Sequence, residues 1–207
     1  MTDGRTAIGP DQPGLFDLEA RHDPLTDRAR ASALPRLLPT VVAATDGSAR
    51  PNPGHAAGAW FVSPDCWQAI AVEGVSTNNI GELTAIRALL EAVPPDRPLH
   101  VVYDSTYAHS CVTTWARGWS RGGRVPPSQW RTKAGEPVRN AELIAATARR
   151  LEGRTVTWTK VKSHTTLMTS EHVLNREADG RASGVVAALA AGRSHPVGPG
   201  WRDETGS

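Results

Sequence analysis

Cysteine is almost absent from this chain, with Cys66 and Cys111 the only two. Two thiols make no disulfide framework, so a reducing, cytoplasmic setting is expected. Long apolar runs are lacking too. None approaches the roughly 20 residues of a membrane span, and the N-terminal stretch has no continuous apolar segment of the signal-peptide kind. No membrane partner is therefore expected. Lysine is scarce, at 133, 160 and 162 only, so arginine carries nearly all the positive charge. No internal repeat is found. An excess of either charge sign is missing as well, since 23 basic against 21 acidic residues give +2. As an average, that value speaks against a chain that coats nucleic acid or anionic membrane.

What is present suffices for one packed domain plus spare chain, with 39% hydrophobic residues over 207 positions. Residues 1–39 mix Gly, Pro, Asp and Arg with few β-branched residues and are expected to form a disordered N-terminal arm. Residues 193–207 are expected to be a flexible tail. The folded domain should span 40–192. Thr40–Thr45 reads as a buried strand, followed by a Gly/Pro/Asn loop over Gly47–Gly54. Ala57–Val62 and Trp67–Val75 read as strands around the turn Ser63-Pro64-Asp65. Ile80–Val93 has a helical apolar period stopped by Pro94-Pro95. Leu99–Tyr103 and Arg154–Val161 read as strands, and Ser105–Trp115, Asn140–Leu151 and Asn175–Ala191 as helices. Three hairpin-linked strands followed by alternating helices and strands predict an α/β fold, a mixed sheet with helices on its faces.

Four carboxylates fall at comparable places on these elements. Asp46 is expected at the end of the first strand, Glu82 at the opening of the first long helix, Asp104 at the end of the fourth strand, and Asp179 in the first turns of the last helix. Strand ends and helix starts meet at one edge of an α/β sheet. Four acids gathered there repel one another. Divalent cations relieve that repulsion, and an all-oxygen ligand set suits magnesium, with manganese as its substitute. Taken singly, each acid also has a structural explanation: Asp46-Gly47 as a turn dipeptide, Glu82 and Asp179 as helix N-terminal acids, and Asp104 as a helix cap.

The neighbours of these acids decide between the two readings. Thr45-Asp46-Gly47-Ser48 with Asn52-Pro53-Gly54, then Thr77-Asn78-Asn79-Ile80-Gly81-Glu82-Leu83, Tyr103-Asp104-Ser105, Val161-Lys162-Ser163-His164 and Asn175-Arg176-Glu177-Ala178-Asp179 resemble the motifs of type 1 ribonuclease H. The five blocks occur in the family's order over about 40–192. The resemblance implies the RNase H-like fold, a five-stranded sheet with three antiparallel and two parallel strands. It implies endonucleolytic hydrolysis of the RNA strand of an RNA/DNA hybrid with two magnesium ions, leaving 5′-phosphate and 3′-hydroxyl ends. Asp46 would bridge both ions, Asp179 would hold the ion on the nucleophile side, and Glu82 and Asp104 the other. His164 would move a proton or assist product departure. Gly47, Ser48, Asn52, Thr77, Asn78 and Asn79 match substrate-contacting positions, where short amides and hydroxyls reach phosphates and ribose 2′-hydroxyls.

Residues 115–139 hold six basic residues against one acid, interleaved with tryptophans. Basic groups among aromatic rings suit a surface that tracks a nucleic-acid backbone. Trp115, Trp119, Arg121 and Arg139 are its candidate contacts, and Asn140 matches a phosphate-contacting position of the family. The stretch corresponds to the basic protrusion of some members; the competing reading is a solvated loop over packed tryptophans. Three departures from the family pattern stand out: Ser163 where glycine is common, Thr106 where glutamine is common, and a long 165–178 segment. In the arm, Gln12-Pro13-Gly14-Leu15-Phe16 resembles the short peptide by which bacterial proteins dock on the DNA sliding clamp. A monomer is the default expectation. Alternative readings are a nuclease of the same fold acting on another nucleic acid, or a catalytically impaired hybrid-binding module. The near-neutral total thus conceals an acidic site beside a basic surface.

Overall fold

The computed structural model describes residues 38–163 and 165–203. Gln12–Phe16, with the rest of residues 1–37, and His164 lie outside the described residues. Five strands build one sheet: β1 (Val41–Arg50), β2 (Gly54–Ser63), β3 (Cys66–Ser76), β4 (Leu99–Tyr103) and β5 (Val156–Lys160). Their order across the sheet is β3-β2-β1-β4-β5. β1 pairs antiparallel with β2, and β2 with β3. β1 pairs parallel with β4, and β4 with β5. The helices are α1 (Asn78–Ala92), α2 (Thr106–Ser110), α3 (Ala116–Trp119), α4 (Ala141–Leu151) and α5 (Ser170–Ala190). A π-helical turn, Cys111–Trp115, joins α2 to α3. This is the expected five-stranded mixed sheet.

Strand alternation sorts β1 onto two faces. Ala43 joins the core formed with Leu83, Ile86 and Leu89 of α1 and Ile144 of α4. Ala44 faces the other way, against Ala178 of α5. Further along, Ala57, Ala59 and Ala69 meet Ala182, Val185 and Val186 of α5. The result is three layers, with α1 and α4 on one face and α5 on the other. Alanine on both sides lets α5 lie close to the strands.

The approach of α1 is closer still. A Cβ on Gly47 would lie 2.2 Å from the Glu82 nitrogen, one on Gly58 2.3 Å from the Gly81 carbonyl oxygen, and one on Gly81 2.4 Å from the Ala57 oxygen. Only hydrogen at these three positions lets helix backbone rest on strand backbone. At its far end α1 stops before Pro94, where Arg154 donates to the carbonyls of Leu90, Val93 and Pro94 at 2.7, 3.0 and 3.0 Å. One guanidinium thereby caps three carbonyls and ties the approach to β5 to the end of α1.

Several boundaries differ from expectation. β1 does not end at Asp46 but continues to Arg50, so the expected loop begins only at Pro51. The helix after β4 extends through the π turn to Trp119 rather than stopping at Trp115. α5 begins at Ser170, five residues before Asn175, so Asp179 sits in mid-helix and not in the first turns. Residues of the expected tail run along β3: Ala69 N–H donates to the Val197 carbonyl and Gly200 N–H to the Trp67 carbonyl, both at 3.0 Å. Arg97 pairs with Asp203 at 3.4 Å. Among the described residues no helix is long and apolar enough to cross a membrane.

Candidate active site

β1 and β4 pair only from Val41–Leu99 to Ala44–Val102. Beyond that register β4 ends while β1 continues against β2, so the sheet opens where two parallel strands finish. Asp46 lies two residues past the last pair, on the α5 face of β1, and Asp104 follows the last residue of β4. Glu82 comes from the second turn of α1, positioned by the glycine contacts at 47 and 81. Oxygens of Asp46, Glu82 and Asp104 lie within 4.8 Å of one another. Asp46 and Glu82 are only 5% and 4% exposed. Asp179, half-buried on α5, acts electrostatically on Asp46 as the fourth member.

Three alternative explanations of these acids fail on geometry. Asp46-Gly47 occupies no turn, because both residues lie within β1 and pair with Ala59 and Gly58. Ser105, not Asp104, caps α2, its Oγ accepting from Ala108 N–H at 3.2 Å. Neither Glu82 nor Asp179 lies in the first turn of its helix. Turn and cap roles therefore do not account for these acids, and the fold gathers them.

Gathering them is costly to their charged forms. Burial pushes the Asp46 carboxyl up to about 8, the charges of Asp104 and Asp179 push the same way, and the Gly47 N–H, donating to Oδ1 at 2.7 Å, opposes them. Glu82 is held well above the carboxylate range by burial first and then by Asp46 and Asp104. An apolar or hydrogen-bonded core would not retain such a set, since buried like charges are unfavourable without compensation. An all-carboxylate set with oxygens this close fits hard divalent cations.

A sequence model of the RNase H family matches residues 39–186. The chain belongs to the type 1 ribonuclease H family. Among similar proteins, the ribonuclease H of Tropheryma whipplei is 35% identical over 166 residues, covering 80% of this chain and 96% of that protein. The ribonuclease HI of Streptomyces coelicolor is 45% identical over 129 residues, 60% of this chain and 53% of that protein. The chain therefore spans about half the length of that second relative. The solution structure of the PFV RNase H domain has a TM-score of 0.53 at 22% identity, covering 69% of this chain and 91% of that one, a likeness of fold. Membership places the chain among enzymes, with its bacterial relatives.

Other residues singled out by the ribonuclease H motifs are distributed unevenly. The exposed Asn52 Oδ1 accepts from the Asn78 backbone N–H at 3.2 Å, linking the β1–β2 turn to the start of α1. Thr77 and Asn79 flank that contact. Gly47, expected among substrate contacts, has its Cα against the backbone of Gly81 and Glu82. Ser48 bonds to Ser183 at 3.2 Å. In the basic stretch the tryptophans form a row from surface to core. Trp115 is 42% exposed and Trp130 only 3%. Trp119 lies between them, its ring centroid 5.8 Å from each. Arg121 and Arg139 are exposed, and Asn140, in the left-handed region at φ 60°, precedes α4. Arg139 and Asn140 act on Tyr107 of α2.

Two partners of the acids were missed as site residues. Asn175 Nδ2 lies 3.5 Å from Asp46 Oδ2, and Ser183 Oγ donates to Asp179 Oδ1 at 3.2 Å. Asn175 stood inside a quoted motif but carried no assigned role. Ser183 is four residues after Asp179, a spacing that shares a helix face and is readable once the helix is known.

Proposed function

We propose that the chain hydrolyses the RNA strand of RNA/DNA hybrids endonucleolytically, leaving 5′-phosphate and 3′-hydroxyl ends. The observation that carries this reading is the carboxylate cluster of buried Asp46 and Glu82 with half-buried Asp104, joined by Asp179, in a chain of the ribonuclease H family. Asp46 would contact two magnesium ions, Asp179 the one on the nucleophile side, and Glu82 and Asp104 the other. Bound there, the two ions supply water activation and neutralisation of charge on the leaving oxygen. Manganese suits the same oxygen ligands.

The chain's own groups do the rest. The rigid contact of α1 with β1 and β2 sets the Glu82 carboxylate against Asp46. Asn52, Thr77, Asn78 and Asn79 form a polar ridge from the β1–β2 turn to α1, suited to 2′-hydroxyls and phosphates. Trp115, Trp119, Arg121, Arg139 and Asn140 would track the strand backbones away from the reacting bond. Hydrolysis adds water across the scissile P–O3′ bond, so the leaving 3′-oxygen must gain a proton. His164 is assigned to proton movement at that stage or to product departure.

The deciding measurement uses labelled RNA/DNA hybrid, single-stranded RNA, double-stranded RNA and double-stranded DNA, each with magnesium, manganese or chelator. Metal-dependent cleavage of the hybrid's RNA alone is expected. Asp46→Asn should abolish turnover and leave hybrid binding in place; cleavage that survives it would refute the assignment of the carboxylates. His164→Ala should slow turnover without abolishing it, and an unchanged rate would remove His164 from the mechanism. Gln12–Phe16 is proposed as a sliding-clamp peptide within a separate arm, residues 1–39. A peptide of residues 8–20 should bind clamp protein, and no binding tighter than millimolar would end that proposal.

A further inference from the structure

α5 presents a polar stripe to β1, and Asp179 is only its middle member. Asn175, Asp179 and Ser183 lie at intervals of four residues, the spacing that stacks side chains on one helix face. Opposite them, Asp46 and Ser48 lie two apart on one face of β1. The two rows touch at both ends. Asn175 Nδ2 is 3.5 Å from Asp46 Oδ2, and Ser48 Oγ is 3.2 Å from Ser183 Oγ. Ser183 Oγ also donates to Asp179 Oδ1 at 3.2 Å. The Ser48 hydroxyl is therefore the donor to Ser183, and the chain of bonds runs Ser48 to Ser183 to Asp179.

The carboxylates need such restraint. The terminal torsion of an aspartate is soft, so its oxygens are not fixed by rotamer preference alone. Asp46 Oδ1 is directed by the Gly47 N–H at 2.7 Å, the Asn175 amide addresses Oδ2, and Glu82 shares a side-chain hydrogen bond with the same carboxyl. Asp179 and Asp46 repel each other across the α5–β1 interface. A helix bearing one of them would be pushed from a strand bearing the other unless polar contacts on both sides of the charge hold it. Asn175 is only 5% exposed, and among the described residues its Oδ1 has no hydrogen-bond partner. A buried amide carbonyl left in this way is unusual, and the same side chain reaches Asp46 through its Nδ2.

We infer that Asn175 and Ser183 are positioning residues for the metal-binding carboxylates: Asn175 orients Asp46, and Ser183, supported by Ser48, fixes Asp179. This rests on the assignment of Asp46 and Asp179 as metal ligands. Groups that orient first ligands commonly change metal affinity by about 10–100-fold when removed.

The test measures magnesium and manganese binding to the full chain by titration calorimetry without substrate, beside thermal melts in chelator. Asn175→Ala and the volume-matched Asn175→Leu should each weaken metal binding by about tenfold, and Ser183→Ala by several-fold. Ser183→Thr, which keeps the hydroxyl, should restore affinity. In cleavage assays the metal concentration for half-maximal rate should rise while KM for the hybrid stays constant. A folded variant that binds metal with the wild-type constant overturns the assignment of its residue. Asp46→Asn is the control: metal binding undiminished by that change would overturn the ligand assignment itself, whereas its loss beside wild-type affinity in Asn175→Ala and Ser183→Ala would overturn the positioning role alone.

Discussion

At the scale of single residues, the most consequential property is the protonation of Asp46 and Glu82. The Asp46 carboxyl lies at about 8, against 3.8 for the unburied group, chiefly through burial and then through Asp104 and Asp179. Between those values the metal-free folded chain binds more protons than the unfolded one. The contribution of Asp46 to stability is therefore fully present below about 4 and is lost as pH rises towards 8. Glu82, shifted the same way, steepens the decline. Metal binding must displace these protons, so affinity should rise over the same interval. In chelator, the melting temperature should drop by roughly several degrees between pH 5 and pH 8. Saturating magnesium should flatten that dependence. A flat profile in chelator would show that the cluster is not desolvated as its burial indicates. Asp46→Asn removes one charge from the set, so it should raise the metal-free melting temperature at pH 8 while abolishing turnover.

At the scale of elements, the glycine contacts between α1 and the sheet set the site. Gly81→Ala would force a Cβ to 2.4 Å from the Ala57 carbonyl oxygen, a backbone atom that cannot swing aside. The helix must lift, carrying Glu82 with it. Overpacking of this kind costs about 1–3 kcal/mol, and cleavage should fall together with stability. Gly184 is the matched control, an exposed glycine in α5 whose added Cβ would meet nothing within 4 Å. Gly184→Ala should instead stabilise by about 0.5–1 kcal/mol, the helix-propensity difference. Equal melting temperatures for the two variants would contradict the close-contact account. These elements also show what was legible in the chain. Leu99–Tyr103 was read to the residue because β-branched residues stand between breakers, and all five strands and the sheet type followed from order. Asp46-Gly47 misled because the pair is a common turn, whereas here Gly47 lies mid-strand to admit α1. α5 starts five residues before Asn175, at Thr169-Ser170-Glu171, where a cap-type residue and a first-turn acid open the helix ahead of the motif block. The four acids were readable from local motifs. The Asn175–Asp46 contact was not, since it joins positions 129 apart through packing alone.

At the scale of the whole molecule, charge segregation matters more than the total of +2. The carboxylate cluster and the stretch 115–139 carry groups of opposite sign, and metal at the first would remove the repulsion that a phosphate backbone meets there. Within the stretch the arginines divide by what they already do. Arg124 Nε donates to the Arg121 carbonyl at 3.0 Å, and Arg131 Nη1 to the carbonyls of Ser128 and Trp130 at 3.3 and 3.0 Å. These two brace the loop over Trp130, whose indole N–H donates to Val125 O at 3.0 Å. Arg121 and Arg139 are exposed and are the better candidates to meet phosphates. Each phosphate contact releases condensed counterions, so the logarithm of affinity falls with the logarithm of salt by roughly 0.7–0.9 per contact. In an Asp46→Asn background, which separates binding from cleavage, Arg121→Ala and Arg139→Ala should each weaken hybrid binding a few-fold and reduce the magnitude of the salt slope by about one. The same loss should appear for hybrids of unrelated sequence, because phosphates carry no base identity. Arg124→Ala should differ in kind, lowering the melting temperature of the free protein through its loop. Slopes unchanged in both Arg121→Ala and Arg139→Ala would return the basic stretch to the reading of a solvated loop over packed tryptophans.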